Sequence, residues 1–262
     1  YGDEQGFTGS GGDQLARQDM FPSVTQEYID DDNIGSAATP ADDNFDRGHP
    51  LYRRIRALNR LRTDHPTLVT GAQIVLVATG PIFAFSRIDR SERVEYVVVT
   101  NNSATDTATA DLAVLSPDTE FTALLGPEPV GAPLVSGPEG RLSLEVPPLE
   151  TALLRAATPL PLAESEPEIE LVRPRGGATI PTPRYRLQAE LTDRRYAEVT
   201  FSAAVDGAEP VVLGVDDAPP YRIYWNNADL PAGTPVDIIA TVDDGSGRMV
   251  SDVVVVTVGD RS

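Results

Sequence analysis

Gln73-Ile74-Val75-Leu76-Val77-Ala78-Thr79-Gly80-Pro81-Ile82-Phe83-Ala84-Phe85-Ser86-Arg87 holds two short apolar runs joined by a tight Thr-Gly-Pro connection. Runs of this length, rich in Val, Ile and Phe and bounded by Gly and Pro, read as strands. A connection this short makes them antiparallel neighbours. The same texture continues through residues 94–101, 109–115, 121–125, 141–146 and 151–155, with a long Gly- and Pro-rich surface loop at 126–140. About seven strands within residues 67–157 give an antiparallel β-sandwich. The pattern resumes at 168–173, 184–192, 197–205, 211–214, 221–225, 234–242 and 249–258, with turn signals at Asp206-Gly207 and Asp243-Asp244-Gly245. A second sandwich of immunoglobulin-like size, without a disulfide, follows within residues 158–262.

Between the two lies Ala157-Thr158-Pro159-Leu160-Pro161-Leu162-Ala163-Glu164-Ser165-Glu166-Pro167. Its prolines cannot join a ladder and its glutamates repel, so it reads as a semi-stiff, solvated spacer. Residues 163–262 are then expected to fold by themselves, with no apolar stripe turned toward the spacer.

Residues 1–66 differ. They are turn-rich and acidic, with one convincing helix over 50–64: Pro50 suits a first helical position, and Leu51, Ile55, Leu58 and Leu61 or Arg62 form one apolar stripe. Arg53, Arg54, Arg56 and Arg60 take the other faces, and Pro66 ends the pattern. Residues 1–49 offer no comparable apolar surface. The stripe is therefore expected to belong against a partner outside this sequence. The fold expected overall is mainly β: a one-helix remnant followed by two antiparallel sandwiches.

Forty acidic residues against 21 basic ones, all of them Arg, give a net charge of −19. Such a surface repels phosphate backbones and anionic lipid, which excludes nucleic acid as a partner. The absence of Cys removes disulfides, thiolate metal sites and cysteine nucleophiles. No apolar run approaches the ~18 residues of a membrane span. The opening Tyr1-Gly2-Asp3-Glu4 carries neither an initiator Met nor a signal peptide, so the chain is expected to begin inside something larger or after a cleavage.

Tyr1-Gly2-Asp3-Glu4-Gln5-Gly6-Phe7, then Gly11-Gly12-Asp13, then Ala16-Arg17-Gln18-Asp19-Met20-Phe21-Pro22, resembles the stretch after barrel strand eight in glycoside hydrolase family thirteen, the α-amylase family. His49-Pro50-Leu51-Tyr52, Leu58, Leu61-Arg62 and His65-Pro66 resemble its last barrel helix. Leu68, Gly71, Phe83-Ala84-Phe85-Ser86-Arg87, Asn101-Asn102 and Val146-Pro147-Pro148-Leu149 resemble its C-terminal β-sandwich. The resemblance covers about residues 1–157; the rest resembles bacterial immunoglobulin-like modules. It implies that residues 1–66 are the end of a (β/α)8 barrel and that the parent is a secreted, extracellular enzyme, monomeric, acting on α-glucans or other α-glucosides. Retention in this family uses a carboxylate nucleophile and a separate carboxylic acid. Both, with the third carboxylate, fall upstream of Tyr1, so no catalytic residue is carried over and the chain alone is expected to hydrolyse nothing. No cofactor follows for these residues; calcium follows only for the complete parent.

Four residues of the rim loop remain as substrate-contact candidates. Asp3 and Glu4 are adjacent, so in an extended segment they face opposite ways, one bracing the loop and the other meeting solvent or a sugar hydroxyl. Arg17 and Asp19 lie where barrel loops face the substrate, or pair with each other as a staple. Asp30-Asp31-Asp32, Asp42-Asp43 and Asp46 lack the Asp-x-Asp-x-Asp-Gly order of a calcium loop and read as solvated; Asp243-Asp244 reads as a hairpin turn. His49 and His65 lack metal-ligand spacing and read as helix-flanking. Tyr221, Tyr224 and Trp225 form the aromatic cluster of the last region. As a sugar platform, Tyr221 and Trp225 support an alternative, a non-catalytic carbohydrate-binding or cell-surface adhesion protein. Strand alternation turns Tyr224 away from Trp225, and core packing is the leading reading for the tryptophan.

Overall fold

Pro50 does open a helix. In the computed structural model, which describes residues 2–9, 11–126 and 133–260, helix α2 spans Pro50–Asp64, and His49 caps it by accepting the Leu51 N–H on Nδ1 at 3.2 Å. The chain divides into two units, Tyr1–Val69 and Thr70–Ser262. In the first, α2 follows the single-turn helix α1 (Gln26–Ile29) and precedes another, α3 (Thr67–Thr70). Four residues cannot display a 3.6-residue period, which is why neither was expected from the sequence. No residue of α2 is buried, and its apolar stripe stays half open, with Ile55 41% and Leu58 38% exposed.

The second unit is mainly β. Its first half carries β1 (Ala72–Thr79), β2 (Ile82–Ile88), β3 (Tyr96–Asn101), β4 (Ala108–Ala113), β5 (Glu120–Leu125), β6 (Leu134–Val135), β7 (Arg141–Val146) and β8 (Thr151–Ala156). A six-stranded sheet runs β1-β2-β3-β8-β5-β6, and the β4–β7 ribbon forms a second layer against β1, β2 and β3. Every second residue of β2 is buried, from Ile82 through Ala84 and Ser86 to Ile88, as a half-covered sheet requires. The core includes Val97, Val99, Phe121 and Leu154. Glu95, fully buried, accepts from the Leu115 N–H at 3.0 Å, the Ser116 N–H at 2.7 Å and the Ser86 hydroxyl, so its carboxylate is satisfied from both layers.

The second half carries β9 (Ile169–Arg173), β10 (Thr179–Ile180), β11 (Arg184–Leu191), β12 (Glu198–Val205), β13 (Val211–Asp216), β14 (Tyr221–Asn226), β15 (Pro235–Asp243) and β16 (Met249–Val258). A five-stranded sheet, β10-β16-β15-β12-β13, faces the three-stranded β14-β11-β9. Only β10 on β16 is parallel among these pairs. Leu171, Leu187, Phe201, Tyr221, Trp225, Ile238 and Val256 fill the space between. The two-residue strands β6 and β10 fall below the length at which alternation is visible. Residues 127–132 of the expected 126–140 loop lie outside the described residues.

The spacer is mostly exposed, as expected of a solvated segment, but Leu160 departs from that reading. Leu160 is 7% exposed and packs with Ala72, Ile74, Ile88 and Tyr196, and its N–H donates to the Arg93 carbonyl at 2.8 Å. Prolines on either side leave no N–H groups to satisfy, so this Pro-Leu-Pro stretch can be laid along an apolar surface at little hydrogen-bonding cost. Tyr196 and Ala218 extend the same cluster from the last region. An apolar contact therefore does face the spacer, contrary to expectation.

Candidate functional site

The opening segment is not extended. Asp3–Gln5 forms one 3-10 turn between Gly2 (φ 82°) and Gly6 (φ 76°), both left-handed. A Cβ on Gly6 would meet the Ile34 carbonyl oxygen at 2.1 Å, so only glycine fits where the Ile34 N–H donates to the Gly6 carbonyl at 2.7 Å. The brace is neither Asp3 nor Glu4 but Gln5, buried, whose Nε2 donates to the Asp46 carbonyl at 2.9 Å. A 3-10 turn spreads successive side chains around an axis, so the two-faced geometry expected of Asp3 and Glu4 does not arise. Tyr1 lies outside the described residues.

Arg17 and Asp19 do not pair. Arg17 reaches back to Asp13 at 2.7 Å, both largely exposed, while Asp19 Oδ1 accepts the Phe21 N–H at 2.9 Å. Between them Gln18 is buried and donates to Asp31 Oδ2. Asp31 is thus a buried member of its acidic run, which corrects the solvated reading there. Asp42, Asp43 and Asp46 each accept a nearby backbone N–H. Among the described residues no three His, Cys, Asp or Glu side chains gather as a metal cage would require. His49 and His65 flank α2.

Tyr221 and Trp225 sit on β14 with 2% and 4% of their surface exposed, inside the core between the two sheets. Neither ring is open to a sugar, and the platform reading fails on burial. Tyr224, on the opposite face, is 59% exposed, with the Arg184 guanidinium 4.7 Å from its ring centre.

The strongest concentration of charge lies elsewhere in the second unit, and sequence reading missed it. Arg195, its side chain 6% exposed, donates from Nε to Asp193 at 2.8 Å, from Nη1 to Asp244 Oδ2 at 2.7 Å and from Nη2 to Ser165 Oγ at 3.0 Å. Arg90, just after β2, pairs with Glu198 and Asp243; Arg93 donates to the Asp244 carbonyl at 2.9 Å and lies over the Tyr196 ring. Arg194 reaches the Ala113 carbonyl, and Arg248 the carbonyls of Ala163 and Glu164. Residues more than a hundred positions apart are thereby tied together. The only local signal was Asp193-Arg194-Arg195-Tyr196 in the β11–β12 turn.

The charges tune one another. The bond from Arg90 holds the Asp243 carboxyl below the usual aspartate range. Burial pushes Asp244 up, but bonds from Ser246 and Arg195 outweigh it and leave it lowered. Burial, reinforced by Glu198 and Asp217, pushes the Tyr196 phenol up to about 12. Both aspartates are depressed in the folded chain, so their stabilisation is complete above the unfolded value of about 3.9 and is lost as pH falls through the folded values. The melting temperature is expected to stay flat from neutral pH to about 5 and to drop below about 4, with Asp243→Asn shallowing the drop. An acid limb that Asp243→Asn leaves unchanged refutes the assignment. These groups are spent on each other, so the cluster is an adhesive and not a catalytic centre.

No protein-family model matches the chain. Over 254 residues it is 39% identical to an α-amylase of Streptomyces lividans, covering 96% of this chain and 27% of that protein. The chain thus spans about a quarter of that relative's length. Among solved structures, an Anoxybacillus α-amylase is 21% identical over 46% of this chain and 26% of its own, with a TM-score of 0.36. An α-amylase from H. orenii is 18% identical over 60% and 31%, with a TM-score of 0.39. At those scores the overlays establish no common fold.

Proposed function

We propose that this chain serves as the C-terminal part of a secreted, extracellular and monomeric α-amylase-family glycoside hydrolase acting on α-glucans or α-glucosides. The observation that carries this is the 39% identity to an α-amylase across nearly the whole chain. The opening segment, α2 and the first sandwich resemble the family in the same order. In this reading residues 1–66 close the barrel and present the rim loop, with Asp3, Glu4, Arg17 and Asp19 near substrate, and the half-open stripe of α2 packs on the barrel wall. The nucleophile and acid come from outside these residues. The last region, an immunoglobulin-like module, acts as a spacer or attachment. Among the described residues no helix is long and apolar enough to cross a membrane. The alternative of a non-catalytic carbohydrate-binding or adhesion protein loses its support with Tyr221 and Trp225 in the core.

The test is turnover of maltooligosaccharides, p-nitrophenyl α-glucoside and sucrose by this chain beside a longer protein that includes the whole barrel. The expected result is no turnover by the chain and full turnover by the longer protein. General acid–base catalysis alone is worth about 10²–10⁴-fold, and the chain supplies neither acid nor nucleophile. In the longer protein, Arg17→Ala is expected to lower activity at least about tenfold with an unchanged melting temperature. Turnover by the short chain that survives repurification overturns the proposal.

A further inference from the structure

The cavities along the joint between the two sandwiches of the second unit differ in charge. One, of about 380 Å³, sets Glu190 and Asp193 against Arg194 and Arg195. Another, of about 730 Å³, sets Asp111 and Glu139 against Arg141 and Arg194. Both balance. A smaller one, of about 170 Å³, is lined by Arg93, Arg194 and Arg195 with a single carboxylate, Asp244. Such a surplus of positive charge runs against the rest of a chain whose net charge is −19. The walls of this cavity come from connections alone. Arg93 lies between β2 and β3, Leu115 between β4 and β5, Leu160 in the spacer, Arg194 and Arg195 between β11 and β12, and Asp244 between β15 and β16.

Arg195 is answered by Asp193 and Asp244. Arg93 and Arg194 are not. Among the described residues each ends on a carbonyl, of Asp244 and of Ala113, and neither pairs with a carboxylate. Arg248, on the carbonyls of Ala163 and Glu164 and the Ser246 hydroxyl, adds a further charge at the cavity's edge. Glu198 and Asp243 are taken by Arg90 and do not line the cavity. Four guanidinium groups thus meet two carboxylates. Arg93 is also held in place, with its guanidinium 5.7 Å from the Tyr196 ring centre and its carbonyl accepting the Leu160 N–H at 2.8 Å. Yet its Nε is buried and has no hydrogen-bond partner among the described residues. A buried donor without an acceptor is costly, and the planar fork of a guanidinium matches an oxyanion. At about 30 Å³ per water the cavity has the volume of about five waters, room for a sulfate-sized ion. We infer that it binds a small tetrahedral oxyanion, phosphate or sulfate, between Arg93 and Arg194, and that the bound ion fastens the two sandwiches at their joint.

The experiment titrates the 262-residue chain with sodium sulfate, sodium phosphate and, at matched ionic strength, sodium chloride. The arginine Nε–Hε resonances are followed by NMR, and the melting temperature is read in parallel. Sulfate and phosphate are expected to saturate with a dissociation constant of about 1 mM, the strength of a few charge-assisted hydrogen bonds, and to shift the Arg93 and Arg194 resonances. The melting temperature rises with either ion as binding to the folded chain alone requires. Arg93→Gln and Arg194→Gln each weaken binding at least about tenfold. Arg194→Lys, which keeps the charge but loses the fork, weakens it about threefold. Arg141→Gln, which removes the same charge from the neighbouring cavity, leaves it unchanged. Should Arg93→Gln fail to fold, the variants at Arg194, an exposed side chain, and the parent resonances still decide. Saturation by phosphate alone or by sulfate alone keeps the site and identifies its ion. Chloride that matches both oxyanions at equal ionic strength reports only screening of the acidic surface and overturns the site. So does a titration that never saturates, or one that Arg194→Gln leaves intact.

Discussion

Arg195→Ala is expected to destabilise the chain by about 3–5 kcal/mol. The size follows from what is left behind. Asp244 has a side chain only 2% exposed, and removing the guanidinium at 2.7 Å leaves a carboxylate buried without its counter-charge. Ser165 and Asp193 lose donors in the same step. A surface ion pair would be worth only about 0–1 kcal/mol, so the magnitude separates a buried lock from a decorative bridge. Thermal or urea unfolding measures it at neutral pH, where both partners are charged. Adding Asp244→Asn to Arg195→Ala removes the orphaned charge and is expected to return about half of the loss, because much of the penalty of breaking a buried pair is the partner left uncompensated. A loss under about 1 kcal/mol for the single variant, or no recovery in the double, refutes the lock.

Trp225→Ala is expected to remove about 3–5 kcal/mol by opening a cavity in the second sandwich. Trp225 pairs in register with Tyr185 of β11, and its ring faces a core that includes Leu187, Phe201 and Ile238. The five- and three-stranded sheets are rigid hydrogen-bonded layers, so they cannot collapse around a missing indole as a loop would. Mobility of the chain in starch-containing native gels should not change, because the ring does not reach solvent. A stable Trp225→Ala chain that has lost a starch retardation shown by the parent would place the tryptophan on the surface and restore the platform reading.

Both predictions rest on parts of the molecule that differ in how far the sequence announced them. Strand alternation and helical period report which face of an element is covered. Helix 50–64 and strands 141–146 and 249–258 accordingly have the bounds read from the sequence. The inward turn of Trp225, away from Tyr224, follows from the same alternation. Periodicity does not report what covers a face. Val94 and Glu95 read as the start of a Val-rich strand, yet β3 begins at Tyr96 and Glu95 leaves the ladder to serve as an acceptor for Leu115 and Ser116. Arg90 and Asp243 are 153 positions apart, and no local pattern in a single sequence links them. The rim segment was legible as a loop but not as a shape. Gly2 and Gly6 close a turn that an alternation rule reads as extended, and Gln5, given no role of its own in the sequence reading, is its brace.

The guanidinium groups of the second unit frequently end on peptide oxygens: Arg194 on Ala113, Arg93 on Asp244, Arg195 on Ser165, Arg248 on Ala163 and Glu164. A carbonyl is the same acceptor whatever side chain stands beside it. Descendants of this chain are therefore free to exchange the letters at 113 and 163–164 with little penalty, so identity there decays faster than architecture. Length has no such freedom. Dropping one residue from the spacer shifts each following carbonyl by about 3.3 Å, more than a hydrogen bond can stretch. At 163–164 selection acts as a ruler, blind to spelling and strict about count, whereas Leu160 and Ser165 are also held by their side chains.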